Sequence, residues 1–354
     1  MHAPEPIPPF PAGPSCPLPV TPREAVGLAH GGGGEETDSL VRDLFFRAFG
    51  PPEPVADDAA PVGDGRWLAT TDGHAVSPLF FPGGDLGTLA VFGTVNDLAV
   101  SGARAEALTA SFFLGEGLPM ETLRRLVSSM ARAAEAAGVR IVAGDTKVVP
   151  AAAGGAAETC YIATSGFGRL VFPHQLSPDR MRAGDEILLT GDVGRHAMTV
   201  LAARNGLAFA PPLASDCADL SPAFRALLAA GVEVHCARDV TRGGLAGVLA
   251  ELAESARLSV AVEEAAVPVA PAVRKAADVL GMDPFDLACE GRAVVVVRAG
   301  EGEKALEALR AVPVSAGAVE IGTVAAGEGA RLKTALGTER FLRRPSGELL
   351  PRIC

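Results

Sequence analysis

The sequence predicts two α/β domains in succession, and three observations predict it. Its 354 residues are enough for two cores of ordinary size. Short apolar runs alternate with longer segments of helical spacing through both halves. A fresh strand-and-turn pattern begins near Met181-Arg182-Ala183-Gly184-Asp185, after the first set of strands closes at Gly168. The expected organisation is a Pro-rich extension over 1–24, a first domain over 25–170, a second over 171–332 and a flexible tail over 333–354.

The extension has few large apolar residues, so it is expected to be disordered or polyproline-like, with Cys16 as an incidental thiol. In the first domain, Arg66 to Thr71 reads as a short strand. Leu89 to Ala99 is apolar at helical spacing after a turn at Gly83-Gly84-Asp85. Met120 to Ala137 reads as a helix, with Gly138 as its C′ glycine. Val139 to Ala143 then reads as a buried strand leading into Gly144-Asp145-Thr146-Lys147, and Tyr161 to Gly168 as another. In the second domain, Glu186 to Thr190 is strand-like and ends in Gly191-Asp192-Val193-Gly194. Helices are expected at Ala197–Asn205, Pro222–Ala230, Gly244–Ser255 and Pro271–Leu280, and strands at Leu258–Val262 and Ala293–Arg298. After Leu332 the pattern becomes polar, with Pro345 and Pro351, which is the basis for the tail.

A net charge of −11 argues against DNA or an acidic membrane surface as a partner. It does not exclude nucleotides, because magnesium can neutralise phosphates at a site. No apolar run reaches the roughly 18 residues needed to span a membrane; Glu158 interrupts Val148–Phe167, the nearest candidate. No basic stretch followed by an apolar core marks a secretory signal. The six cysteines contain no C-x-x-C pair, so reduced thiols and a cytoplasmic location are expected. The histidines do not cluster, and His235 and Cys236 would point to opposite faces of a strand, which argues against a His/Cys metal site.

Acidic residues recur just after short apolar runs: Asp57-Asp58, Asp72, Asn96-Asp97 and Asp145. Carboxylates converging from strand ends suit a hard cation such as Mg²⁺, which takes oxygen ligands and bridges to phosphates. Each of these aspartates equally suits a helix cap or a turn. The chain has no Walker A loop and no G-x-G-x-x-G opening a helix. His30-Gly31-Gly32-Gly33-Gly34 is either a backbone cradle for phosphates or a hinge into the helix that follows. Lysine is confined to Lys147, Lys275, Lys304 and Lys333 in an arginine-rich chain. Lys147 therefore reads either as a compact ammonium aimed at a phosphate or as an ordinary surface residue. Cys354 ends the chain on Leu350-Pro351-Arg352-Ile353. A tail of about 20 residues spans some tens of ångströms at roughly 3.3 Å per extended residue. Its thiol is thus either a carrier between sites or a frayed end. The α-carboxylate beside it raises the thiol pKa, so activation would come from a partner enzyme or base.

Three motifs in the first half carry a resemblance. They are Thr71-Asp72-Gly73-His74-Ala75-Val76-Ser77-Pro78-Leu79-Phe80-Phe81-Pro82-Gly83-Gly84-Asp85, Gly93-Thr94-Val95-Asn96-Asp97-Leu98-Ala99 and Val142-Ala143-Gly144-Asp145-Thr146-Lys147-Val148-Val149. With Arg238-Asp239-Val240-Thr241-Arg242-Gly243-Gly244 and the terminal Pro351-Arg352-Ile353-Cys354, they resemble the HypE family, the carbamoyl dehydratases of nickel–iron hydrogenase maturation. The likeness covers about Val26 to Cys354. It implies an α/β (α+β) two-domain fold like aminoimidazole ribonucleotide synthetase, with a mobile C-terminal tail, and a homodimer formed mainly through the first domain. It implies that a carbamoyltransferase, HypF, loads a carboxamide onto Cys354. ATP then activates the amide oxygen, loss of phosphate leaves a thiocyanate, and the cyano group passes to iron on a HypC–HypD complex. On this likeness Asp72, Asn96, Asp97, Asp145 and Thr146 hold Mg–ATP, with Asp57, Asp58, Asp72, Asp97 and Asp145 as metal candidates. Lys147 sits at the phosphates or the reacting amide. Glu290, in Cys289-Glu290-Gly291, matches the Asn-Glu-Gly of relatives and is the candidate general base. The extension, Ala197 in place of the relatives' glycine, and Cys289 in place of asparagine depart from the family pattern.

Two other readings remain at this stage. One is another ATP enzyme of this fold, such as a selenophosphate synthetase or thiamine-monophosphate kinase. The former would carry a cysteine or selenocysteine with a lysine nearby in an N-terminal Gly-rich loop, and Cys16 has no such lysine. The other is a non-catalytic maturation scaffold, which has no need of Lys147, the acidic set or Glu290.

Overall fold

A computed structural model describes residues 25–50, 57–150 and 159–344. The Pro-rich extension with Cys16, and the terminal Cys354, lie outside the described residues.

The chain opens with a helical stretch, α1 (Glu35–Leu40) and α2 (Phe46–Phe49), joined by a wide turn over Val41–Phe45. The first sheet follows. Its strands are β1 (Ala60–Val62), β2 (Trp67–His74), then, after a two-residue ribbon β3 (Phe80–Phe81) and β4 (Gly84–Asp85), β5 (Ala103–Gly115), β6 (Arg140–Val149) and β7 (Cys160–Leu170). The five strands lie in the order β1-β2-β7-β5-β6, antiparallel except for the parallel pair β5 and β6.

Helix α3 (Leu86–Val100) packs on this sheet, with α4 (Met120–Ala137) beside it. The sequence of α3 is apolar on all sides, so it belongs inside, and most of its residues are buried. Asp85 caps it by accepting from the Thr88 amide at 2.9 Å, while Thr88 Oγ1 accepts from the Asp85 amide at 2.8 Å. The amphipathic α4 ends at Gly138, which takes the left-handed conformation expected of a C′ glycine.

The second sheet comprises β8 (Glu186–Leu189), β9 (Val234–Asp239), β10 (Ser259–Glu263), β11 (Ala293–Val297), β12 (Val319–Ala325), β13 (Gly329–Lys333) and β14 (Glu339–Leu342). These seven strands run in the order β14-β13-β10-β12-β8-β11-β9. Among the described residues, this half carries the α-helices α5 (Arg195–Arg204), α6 (Ser221–Ala229), α7 (Gly244–Ala256), α8 (Pro271–Leu280) and α9 (Gly302–Arg310). β11 is Ala293-Val294-Val295-Val296-Val297, fully buried, with alternate residues feeding the cores on its two faces.

The halves share apolar packing. Val76, Leu79 and Phe81 from the first meet Ala197, Met198, Val273 and Leu287 from the second in one cluster. Asn96 in α3 reinforces the join. Its Nδ2 donates to Ala218 O at 3.0 Å and its Oδ1 accepts from the Leu220 amide at 2.8 Å.

Two expectations are corrected here. Val139–Ala143 was expected to be a buried strand, but within it Val139 alone is buried: Arg140–Val149 is exposed along its whole length, because β6 is the sheet edge and, among the described residues, pairs with β5 alone. The flexible tail was expected from 333, but Glu339–Leu342 pairs antiparallel with Ala330–Lys333. A turn over Thr334–Thr338, closed by a 2.7 Å backbone bond from Thr334 to Thr338, folds that polar stretch back onto the sheet.

Candidate active site

A cleft between the domains gathers acidic side chains from five places in the chain. Asp58 precedes β1, Asp72 lies on β2, Asp97 on α3 and Asp239 at the end of β9, while Glu290 sits just before β11. Close approach of α3 to β2 makes this possible. A Cβ at Gly93 would meet His74 Cε1 at 2.8 Å and Asp72 Oδ2 at 3.2 Å, so glycine is required there. One helical turn further on, Asp97 therefore faces the same strand, where Thr70 Oγ1 donates to its Oδ2 at 2.8 Å.

Carboxylate oxygens of Asp58, Asp97 and Asp239 lie within 4.8 Å of one another. Burial, then the charges of Asp239, Asp58 and Asp72, push Asp97 well above the usual carboxylate range. Burial, then Asp58 and Asp72, do the same to Asp239. Asp58 is pushed up to about 6 by burial, against the opposing pull of Arg238. Burial and then the charges of Asp72, Asp239 and Asp216 raise Glu290 as well. Burial also holds His74 below its ordinary value. Three hard oxygen donors that repel one another when ionised fit a divalent cation such as Mg²⁺, which would relieve the repulsion and draw the protons off.

Arg238 supplies positive charge from the second domain. Its Nη1 is 2.8 Å from Asp58 Oδ1 and 3.3 Å from Glu251, and its Nη2 is 3.5 Å from Asp57 Oδ1. Arg242 lines the cleft and carries the Gly-rich loop: its Nη1 donates to Gly31 O at 3.3 Å. A Cβ on Gly33, at φ +76°, would stand 2.8 Å from Arg242 Cβ. His30–Gly34 thus packs on Arg242 and leads into α1, and its residues are not among those lining the cleft.

The structure sorts the sequence-derived residues. Asp58, Asp72, Asp97 and Glu290 come together. Asp57 stands behind them, accepting from Gln175 Nε2 at 3.2 Å, and fixes the strand approach instead of lining the cleft. Asn96 is turned away from the cleft. It is only 2% exposed, and the backbone bonds that join the domains engage both ends of its amide.

Asp145, Thr146 and Lys147 are not brought to this cleft within one chain. Asp145 shares a row with Ser111, Ala163 and Gly73, one residue out of step with Asp72 and three strands away. Strand alternation puts it on the opposite face of the sheet, at a separation of about 14 Å across the strands. Lys147 there pairs with Asp145 at 2.8 Å and is 62% exposed. The hydrogen bond from Lys147, then that from the Thr146 amide, holds Asp145 below the usual range.

Sequence reasoning missed Asp239, His74 and Arg242. Asp239 ends a strand like the other aspartates, but the histidine and arginines around it disguise the apolar run that marked them.

The fold and site define the class. Residues 56–170 match the family described as AIR synthase related protein, N-terminal domain, and residues 182–334 match its C-terminal domain. The chain is 45% identical over 338 residues to the carbamoyl dehydratase HypE of Rhodobacter capsulatus, covering 94% of this chain and 98% of that protein. A crystal structure of the hydrogenase maturation protein HypE in complex with ATP superposes with a TM-score of 0.78 at 42% identity, covering 92% of this chain and 99% of that one. A HypE–HypF complex gives a TM-score of 0.81 at 40% identity, over 87% of this chain and all (100%) of the matched chain. The chain belongs to the HypE family of carbamoyl dehydratases, enzymes of hydrogenase maturation. Among the described residues, no helix is long and apolar enough to cross a membrane.

Proposed function

We propose that this chain uses ATP to dehydrate a carboxamide on the sulfur of Cys354 to a thiocyanate, the source of the cyanide ligand of a nickel–iron hydrogenase. The observation that carries the reading is the convergence of Asp58, Asp97 and Asp239 beside Asp72 and Glu290 in one interdomain cleft. Asp58, Asp97 and Asp239 would hold Mg²⁺, which supplies charge neutralisation for the phosphates of the nucleotide. The related HypE solved with ATP supports the choice of nucleotide.

The chemistry balances as one carboxamide plus ATP giving one thiocyanate, ADP and phosphate. The amide oxygen attacks the γ-phosphorus, which makes that oxygen a phosphate leaving group and acidifies the N–H bonds. One N–H proton leaves to solvent as the phosphorylated amide becomes a neutral imidate, and Glu290, whose carboxyl is raised by burial, takes the remaining one as the C–O bond to phosphate breaks. His74, whose pKa is lowered by burial, lines the cleft beside Asp72 at 3.5 Å.

The reading includes a homodimer through the first domain. Its support is the edge strand β6, exposed along its length, with Ile141, Val142 and Val148 bare and Phe113, Tyr161 and Phe167 exposed on the same sheet. An uncovered edge with apolar side chains is surface that a second copy can take up. Such pairing would let Asp145, Thr146 and Lys147 serve a cleft they do not reach in their own chain. HypF is the proposed donor of the carboxamide, supported by the HypE–HypF complex of a relative. A HypC–HypD complex is the proposed acceptor of the cyano group.

The test is mass spectrometry of the C-terminal peptide after incubation with the carbamoyltransferase, carbamoyl phosphate and ATP. The expected product is a cyano group on Cys354 that requires ATP. A carboxamide unchanged by ATP, with correctly folded protein, would overturn the reading.

A further inference from the structure

The segment Ser215–Leu220 crosses between the domains and holds the stretch that carries Glu290. Asp216, 6% exposed, accepts through one oxygen, Oδ2, from two successive backbone amides: Glu290 at 3.0 Å and Gly291 at 3.1 Å. The Ala218 amide donates back to Glu290 O at 3.3 Å. The two segments touch so closely that a Cβ on Gly291 would lie 2.1 Å from Asp216 O and 2.9 Å from the Ala218 amide. The far end of the same segment is pinned by Asn96, through Ala218 O and the Leu220 amide, and Asn96 is the chain neighbour of Asp97. Its near end is pinned to the first domain by the Ser215 amide, which donates to Pro82 O at 2.8 Å.

We propose that Asp216 is a positioning residue for the dehydration: with Asn96, it sets the distance between the metal-binding Asp97 and Glu290. A chain of hydrogen bonds runs from α3 through Ala218 and Asp216 to the amide of Glu290, and no covalent link shorter than the whole second domain does the same. Two amides engage Asp216 Oδ2 directly and the Arg292 guanidinium offsets its charge, so the contribution of Asp216 to the Glu290 stretch is geometric. A buried carboxylate taking two adjacent N–H groups fixes the backbone from which the Glu290 side chain springs.

This inference rests on Glu290 being the base, and the test separates the two. Single-turnover dehydration of pre-carbamoylated protein is measured in Asp216→Ala, Asp216→Asn and Glu290→Gln, with nucleotide affinity measured beside it. Loss of the acceptor in Asp216→Ala is expected to slow the chemical step on the order of 10²-fold, the cost of a misplacement of about 1 Å. Nucleotide affinity should stay within about 3-fold of wild type, because the carboxylates at Asp58, Asp97 and Asp239 are untouched. Asp216→Asn keeps an oxygen acceptor and should recover most of the rate. Should Asp216→Ala not fold, Asp216→Gln displaces the acceptor by one methylene and carries the same expectation. If Glu290→Gln is slow while Asp216→Ala and Asp216→Gln keep the wild-type rate, the positioning role is wrong. An equal loss of rate and nucleotide affinity would also overturn it, as would an Asn variant as slow as Ala. If Glu290→Gln itself turns over normally, the base assignment is what fails.

Discussion

Arg238 Nη1 lies 2.8 Å from Asp58 Oδ1, so the second domain places a buried guanidinium directly against the carboxylates of the first. Its side chain is 9% exposed and also meets Asp57 and Glu251. Without a metal ion, this is positive charge that the acidic cleft depends on. Removing one partner of a buried ion pair leaves the other charge uncompensated, at a cost of about 3–5 kcal/mol. Arg238→Met should therefore lower stability by that order in metal-free protein, and added Mg²⁺ should recover part of it. Urea unfolding with chelator and with Mg²⁺ measures both. An unchanged midpoint in chelator would show that the pair is not structural.

Asp97→Asn should act in opposite directions on folding and on binding. Neighbouring carboxylates and burial penalise ionised Asp97, so a neutral amide relieves repulsion in the metal-free fold. Its melting temperature should rise by about 1–2 °C, which corresponds to roughly 1 kcal/mol in a protein of this size. The same change removes an anionic oxygen from the proposed cation site, so affinity for Mg–ATP should fall by at least about tenfold, equivalent to roughly 1.4 kcal/mol. Calorimetric titration and thermal melting on one preparation decide it, and a lower melting temperature with intact affinity would reject the site.

The pH dependence of metal-free stability follows from the same cluster. A carboxyl group whose native pKa is raised stays protonated in the fold after the unfolded chain has released its proton near the ordinary value of 3.8. Across that window the native state binds more protons, so stability falls as pH rises. Buried His196, held near 4 against an ordinary 6.5, contributes the opposite slope, but only below about 6.5. Above about pH 6.5, where that opposing contribution is complete, the melting temperature in chelator should decline for as long as Asp97, Asp239 and Glu290 keep their protons in the fold. With saturating Mg²⁺ the decline should flatten. A rise in chelator over that range would contradict the raised pKa values.

Much of the fold was legible because its elements carry local signals. The all-apolar α3, the amphipathic α4 with its C′ glycine, and Pro271–Leu280 each declare their period and their ends. β5 was not predicted, because Ala103–Gly115 mixes small, charged and aromatic residues and its regularity comes from partners on both sides. β14 was missed for a similar reason: Glu339-Arg340-Phe341-Leu342 is polar in sequence and becomes a strand only by pairing with β13. In the site, Asp58, Asp72, Asp97 and Glu290 could be found from strand ends and motif likeness. Asn96 sits beside Asp97 in the same motif, yet a helix turns neighbours about 100° apart, and that rotation sends it to the domain join. Asp145 looked like its fellow aspartates, but strand order and facing, which no local pattern encodes, carry it to the other side of the sheet.

Lys147→Arg tests the proposed partner contribution. On the surface of a lone chain, Lys147 pairs among the described residues with its neighbour Asp145, and arginine would serve as well. If the second copy of the chain brings this lysine to phosphate or amide, the planar guanidinium cannot occupy the place of a point ammonium. Dehydration should then slow by at least about tenfold, with sedimentation showing an intact dimer. A wild-type rate in a proven dimer would remove Lys147 from the site.

The central claim is tested most directly by a single turnover on protein already carbamoylated at Cys354. After ATP and Mg²⁺ are added, the C-terminal peptide is followed by mass. The account predicts loss of one water from the peptide at Cys354, with release of one phosphate per thiocyanate. Cys354→Ser should show no such product while binding nucleotide normally, and Glu290→Gln should slow the step by about 10²–10⁴-fold. ATP hydrolysis that leaves the carboxamide intact, or a thiocyanate formed at full rate by Glu290→Gln, would contradict it.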